Sequence, residues 1–171
     1  MLQTLFINPQ DGRMRPTFED GMYLKYNPNK TIWEGGWLYN ISPRSTIQWF
    51  SVPNSIGWYA QGINPDGTAG NYRGNLSGAG IGLFGITHHF NKNVSIKLWE
   101  QFVENIFNTL LAEFNYMPET IQQKPVFFTG IRFITQQSIH DGGNQNQDKT
   151  YMLKGNVAYV FSGRVGLKNK R

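Results

Sequence analysis

Four charged side chains stand inside segments whose other residues are largely apolar. Arg132 and Arg164 carry guanidinium groups, and Glu34 and Glu113 carry carboxylates. Charges in such surroundings either meet a polar, solvent-filled space or pair with one another. The sequence therefore predicts two alternative roles, which are to guide charged solutes or to form ion pairs that hold neighbouring strands together.

A second group of charged residues belongs to the long irregular stretch of residues 42 to 78. Arg44 and Arg73 flank this stretch, and Asp66 lies in its Asn-Pro-Asp-Gly turn. A loop that folds into a pore can bring such side chains to a constriction, where they select solutes by charge. We predict this arrangement for Arg44, Asp66 and Arg73, and the alternative is an outward-facing loop in solvent.

Catalytic and metal-binding patterns are missing from the sequence. No nucleophile occurs with a base partner, and cysteine is absent. His88 and His89 are adjacent, so on a strand they would face opposite sides and could not bind one metal ion together. We predict that the chain is not an enzyme, has no catalytic residues, and needs no cofactor and no metal.

The elements that must position these side chains are strands with alternating apolar and polar residues. About seven such segments occur, at residues 19–27, 31–41, 79–90, 94–103, 109–116, 126–136 and 155–167. The alternation places Trp33, Trp37 and Ile41 on one face. Residues 98–114 also carry apolar side chains at steps of four, so an amphipathic helix is the alternative there. We predict an all-β fold, an antiparallel up-and-down meander in one partial barrel domain that spans residues 1–171.

The connections between these segments have two sharply different sizes. Residues 27–30, 91–93 and 168–170 are short turns of Asn, Pro and Lys, whereas residues 42–78 and 136–152 form long loops. Short turns at one rim and long loops at the other are typical of bacterial outer-membrane barrels. We expect the two classes of connection at opposite rims.

The composition agrees with a wall between lipid and water. Aromatic residues make up 15% of the chain, charged residues 16%, and the mean hydropathy is −0.44. A barrel strand sends one face to lipid and one to a wet lumen, so its mean hydropathy can stay negative. No apolar run approaches the roughly 18 residues of a membrane-spanning helix. The net charge is +5, but Lys and Arg are scattered along the chain, so we predict no nucleic-acid partner.

Five motifs in the chain are long and specific: FINPQDGRMRPT (6–17), EGGWLYNISPRST (34–46), GINPDGT (62–68), FVENIFNT (102–109) and IHDGGN (139–144). Together they make the chain resemble the OprD-type outer-membrane porins, in the version found in Bacteroidetes. The resemblance implies a single-chain barrel of about eighteen antiparallel strands in the bacterial outer membrane. It also implies that small polar or charged solutes diffuse through a lumen narrowed by infolded loops.

A barrel of this kind gives each charged strand residue a direction. Facing lipid at the bilayer centre would cost Arg132 or Arg164 about 2 to 4 kcal/mol, so both should line the pore. The same alternation turns Glu34 and Glu113 toward the pore. Aromatic side chains on the opposite face should meet the lipid interface; they are Trp33, Trp37, Tyr39, Tyr159 and Phe161.

The extent of the sequence predicts a section of a larger barrel. Residues 1–9 lack the basic start, apolar centre and cleavage site of a secretory signal, and about seven strands are fewer than the smallest bacterial barrel needs. We expect the partners to be the lipid bilayer of the outer membrane, small polar solutes and the remaining strands of the same barrel. The alternatives are a soluble all-β module that binds carbohydrate or another ligand, and a barrel enzyme.

Overall fold

The computed structural model describes residues 2–7, 16–44, 46–59, 62–64, 66–119 and 125–168. Eight strands account for most of this structure: β1 (Phe18–Tyr26), β2 (Thr31–Ser42), β3 (Phe50–Ser51), β4 (Ile81–His89), β5 (Val94–Val103), β6 (Phe107–Tyr116), β7 (Val126–Ser138) and β8 (Val157–Lys168). A short helix α1 (Val52–Ile56) and a 3-10 turn (Gln147–Lys149) lie in the two long loops. No helix within these ranges is long and apolar enough to cross a membrane.

The seven long strands form one antiparallel sheet in the order β1-β2-β4-β5-β6-β7-β8, and the two-residue strand β3 pairs with β2. This topology confirms the predicted all-β meander, and each predicted long strand ends within two residues of an observed end. Among the described strands, β1 and β8 have a neighbour on one side only. The sheet is therefore open at both edges.

Residues 98–114 form the hairpin of β5 and β6 rather than a helix. The register runs from the pair Val94 and Tyr116 to the pair Val103 and Phe107. Asn105 has a φ of 63°, which turns the chain sharply between the two strands. Residues two or four positions apart lie on the same face of a strand. The apolar side chains at steps of four that suggested a helix therefore share one face of each strand instead.

The predicted long loops and the two described turns that were predicted as short lie at opposite rims, whereas the three-residue turn between β5 and β6 shares the rim of the long loops. Because the strands alternate in direction, residues 27–30 and 91–93 lie at one rim. The long loops lie at the other rim, and β7 extends to Ser138, so the second long loop occupies residues 139–156. The third predicted short connection, residues 168–170, lies outside the described residues after Lys168.

One side of the sheet, called the covered face below, is packed against other parts of the chain. Its buried side chains meet Val52, Tyr72 and Leu76 of the first long loop. Phe6 of the described N-terminal segment meets Trp99 of β5 edge to face, with ring centroids 6.4 Å apart. The strand residues of this buried cluster are Leu38, Ile81, Leu83, Val103 and Phe107.

The opposite side, called the open face, is a largely apolar surface, interrupted by Glu100 and Asn108, whose side chains share a hydrogen bond. Phe161 of β8 is 72% exposed there, and it lies opposite Phe133 of β7. Large apolar side chains on this face extend from the first long strand to the last; they include Met22, Leu24, Trp33, Phe84, Leu98, Leu110, Phe114, Ile131, Phe133, Tyr159, Phe161, Val165 and Leu167. The same strands thus present two chemically different faces.

A bulge in β2 changes which residues share a face. Gly21 of β1 pairs with Leu38 and Asp20 pairs with Asn40, so Tyr39 has no partner in β1. Such an extra residue shifts the alternation by one position. Ile41 accordingly packs against the buried cluster, and its predicted place on the same face as Trp33 and Trp37 is wrong.

Candidate functional site

The charged strand residues meet on the covered face, where Glu113 of β6 lies directly opposite Arg132 of β7. The Nε group of Arg132 donates to Glu113 Oε2 at 2.6 Å, and the Nη2 group donates to the same oxygen. The side chain of Glu113 is 7% exposed and that of Arg132 is 45% exposed. The carboxylate is therefore enclosed, whereas part of the guanidinium faces open space.

Two more groups complete the surroundings of Glu113. Lys97 Nζ of β5 lies 3.3 Å from Glu113 Oε1, and Asn115 Nδ2 donates to the same oxygen at 2.8 Å. One carboxylate is thus shared by two cations. Lys97 was not among the predicted site residues, although strand alternation places Lys97 on the same face as the buried Trp99.

Arg164 of β8 reaches the same group across β7. Its Nη2 group donates to Asn115 Oδ1 at 2.7 Å. A Cβ atom at Gly130 would lie 2.8 Å from Arg164 Nε and 3.0 Å from Asn115 Oδ1, so the glycine leaves the space through which Arg164 crosses. Glu113, Arg132 and Arg164 line one shallow cavity of about 210 Å³.

Glu34 belongs to a separate cluster on the covered face. Lys25 Nζ lies 2.9 Å from Glu34 Oε1, and the Tyr23 hydroxyl donates to that oxygen at 3.1 Å. No described contact joins Glu34 to Arg132 or Arg164. The two clusters together are called the polar band below; its members are Tyr23, Lys25, Glu34, Lys97, Glu113, Asn115, Arg132 and Arg164.

The charges of the polar band do not cancel. Its four cationic side chains, two lysines and two arginines, face two carboxylates. Arginine stays charged at all accessible pH values, and its planar group binds carboxylate and phosphate oxygens in pairs. The band can therefore attract anions while its glutamates hold the cations in position.

The three predicted constriction residues have different surroundings in the described structure. The guanidinium carbon of Arg44 lies 5.7 Å from the centroid of the Tyr59 ring. Asp66 Oδ1 accepts hydrogen bonds from the hydroxyl and the N–H group of Thr68, and these bonds hold the pKa of Asp66 below its usual value. Arg73 packs beside Gly57. No described contact joins Arg44, Asp66 and Arg73 to one another.

The predicted interface aromatics lie away from the polar band. Trp33 and Trp37 pair with the open-face positions of β4, and the Tyr159 ring stacks on Phe133 with centroids 6.1 Å apart. Phe161 is on the same face, and Tyr39 projects from the bulge with 47% of its surface exposed. The aromatic and charged sets thus occupy different parts of the sheet.

Sheet topology, loop placement and the two faces define the class of protein, a wall of a large antiparallel β-barrel. No family model and no curated protein matches the chain at a significant level. Solved structures of outer-membrane porins do match. OccAB3 of Acinetobacter baumannii aligns with a TM-score of 0.69 and 14% identity over 99% of this chain and 37% of its own.

Two Pseudomonas aeruginosa structures give the same result. OccK8 (OprE) aligns with a TM-score of 0.69 and 14% identity over 98% of this chain and 42% of its own. The outer membrane protein opdK aligns with a TM-score of 0.62 and 14% identity over 97% of this chain and 39% of its own. The chain thus spans well under half the length of these barrels, and its fold is that of an OprD-type porin wall.

Proposed function

We propose that this chain forms part of an OprD-type porin, of the version found in Bacteroidetes, in a bacterial outer membrane. The proposal rests on the chemical contrast between the two faces of the sheet. The same strands carry a largely apolar surface on one side and the polar band on the other. A barrel wall between lipid and a water-filled lumen needs this pattern.

The open edges support a larger barrel. β1 and β8 each leave one row of backbone groups without a neighbouring strand among the described residues. Lipid offers no hydrogen bonds to such groups, so barrels that span membranes are closed. We propose that further strands of the same protein, up to about eighteen in all, pair with these edges. The lipid bilayer is the second partner and meets the open face.

Small polar or charged solutes are the substrates that the polar band suits. Arg132, Arg164, Glu34 and Glu113 line the pore in this proposal, and the excess of cations favours anions over cations. Arg44, Asp66 and Arg73 belong to a loop that packs over the covered face, where the loop would narrow the passage. Trp33, Trp37, Tyr39, Tyr159 and Phe161 hold the wall at the lipid interface.

A soluble carbohydrate- or ligand-binding module is not favoured. Such a module would have to keep the apolar open face away from water, and exposed apolar patches of this extent are rare on soluble monomers. We propose passive diffusion rather than enzymatic conversion, without cofactor, metal or nucleic acid.

Reconstitution tests this function directly. The complete barrel that contains this chain, purified from outer membranes in detergent, should insert into planar bilayers and produce discrete steps of ionic current. A complete protein that stays monomeric in water without detergent and gives no current steps would contradict the proposal.

A further inference from the structure

The two long loops enclose a cleft of about 520 Å³ at their rim. The loops are joined by backbone and side-chain hydrogen bonds. The N–H group of Ser77 donates to Gly143 O at 2.9 Å, and Asn144 Nδ2 donates to Asn75 O at 2.5 Å. The two loops that carry the walls of the cleft are therefore joined to each other.

Tyr151 supplies an aromatic surface in this cleft. Its ring lies 5.2 Å from that of Phe107 at an angle of 31° and meets Tyr72 edge to face at 5.3 Å. Both neighbours are buried, whereas Tyr151 is 37% exposed. A second cavity, of about 510 Å³, is also lined by Tyr151. The ring is therefore held in place by packing while part of it stays accessible.

Hydrogen-bonding groups that the fold does not use line the same cleft as the Tyr151 ring. The Asp148 carboxylate and the Asn156 amide line the cleft, and neither makes a side-chain hydrogen bond within the described part of the chain. Asp66 also lines the cleft. Only its Oδ1 atom accepts described hydrogen bonds, both from Thr68. In contrast, the Gln147 amide is occupied at both ends, by Asp141 O and the Lys154 N–H group.

We propose that this cleft binds a neutral polyhydroxylated solute, such as a short saccharide, before the solute passes along the covered face. A sugar ring has an apolar C–H side that packs on an aromatic ring, and a rim of hydroxyl groups that need acceptors. Asp66, Asp148 and Asn156 offer such acceptors, and hydrogen bonds to ionised carboxylates are strong. This inference rests on the porin function proposed above.

Other classes of ligand fit this cleft less well. Asp66 and Asp148 repel anions, which instead suit the polar band. No group of three or more metal-ligating side chains occurs within the described ranges. Lys149 follows Asp148 directly and Lys154 pairs with Asp141, so the second loop as a whole has no net charge.

Saccharide block of the channel current tests the inference. Planar bilayers holding the complete barrel receive maltotriose on the side that the long loops face, and the half-blocking concentration is measured. The double variant Asp148→Ala/Asn156→Ala removes the unused polar groups without breaking a described hydrogen bond. It should raise the half-blocking concentration about tenfold or more, the effect of losing a hydrogen bond to a charged group. Asp148→Asn should give a smaller rise.

Two controls separate this site from other effects. Lys149 is next to Asp148 but does not line the cleft. Lys149→Ala should therefore leave the half-blocking concentration unchanged. A polyethylene glycol of similar size should not block at these concentrations. Equal block in all variants, equal block by the polymer, or block by choline in place of maltotriose would overturn the inference. A complete protein without any conductance would instead overturn the proposed porin function.

Discussion

Glu113 and Arg132 face each other on adjacent strands, with Arg132 Nε 2.6 Å from Glu113 Oε2. Lys97 approaches the other oxygen of the same carboxylate at 3.3 Å. The Glu113 carboxylate therefore has two effects. It links β5, β6 and β7, and it offsets part of the positive charge that would face a solute.

The first prediction concerns Glu113→Gln. Loss of the carboxylate leaves Arg132 and Lys97 without their anionic partner, so the positive potential of the wall rises. In bilayer recordings of the complete barrel, the reversal potential in a salt gradient should shift toward greater anion preference.

Removing one partner of a fully buried pair costs about 3 to 5 kcal/mol. Because Arg132 is 45% exposed, we expect a smaller loss of unfolding free energy, about 1 to 2 kcal/mol.

The second prediction concerns the close approach of Arg164 to Gly130. A Cβ atom in Gly130→Ala would lie 2.8 Å from Arg164 Nε, so the guanidinium must move and lose its bond to Asn115. Anion preference should fall while the barrel still inserts. Gly163→Ala is the matched control, because its Cβ would have no neighbour nearer than 3.9 Å. Equal selectivity in the two variants would show that the position of Arg164 does not matter.

The third prediction uses two neighbours in β8 that lie on opposite faces. Phe161 is opposite Phe133 on the open face, and Val160 is opposite Ile134 on the covered face. If the open face meets lipid, Phe161→Lys should lower the unfolding free energy in lipid vesicles by about 2 to 4 kcal/mol. Val160→Lys should cost much less, since its ammonium group would enter water. The measurement is urea unfolding of both variants, and a reversed order would mean that the two faces are assigned the wrong way round.

The sequence predicted the strands well because alternation is a local signal. β5 was predicted with both ends correct, and Arg132, Arg164 and Glu113 were correctly placed on one face. Ile41 was misplaced because the bulge at Tyr39 depends on pairing with β1, which alternation in one strand does not reveal.

Features that arise between distant segments were not predictable in this way. The contact of Tyr151 with Phe107 and Tyr72 joins three parts of the chain, and nothing in the spacing of these residues indicates it. The separation of Glu34 from Arg132 likewise depends on which strands are neighbours. The alternation of residues predicted on which face of the sheet each charged side chain lies, but not which side chain it contacts.

The reversal potential of a variant without both arginines tests the central claim most directly. In a salt gradient across a bilayer holding the complete barrel, Arg132→Gln/Arg164→Gln should shift the reversal potential toward greater cation preference. The reason is that Glu34 and Glu113 would then face only Lys25 and Lys97. An unchanged reversal potential in a pore that still conducts would contradict the account. The two arginines would then be structural, and the selectivity would lie in the loops.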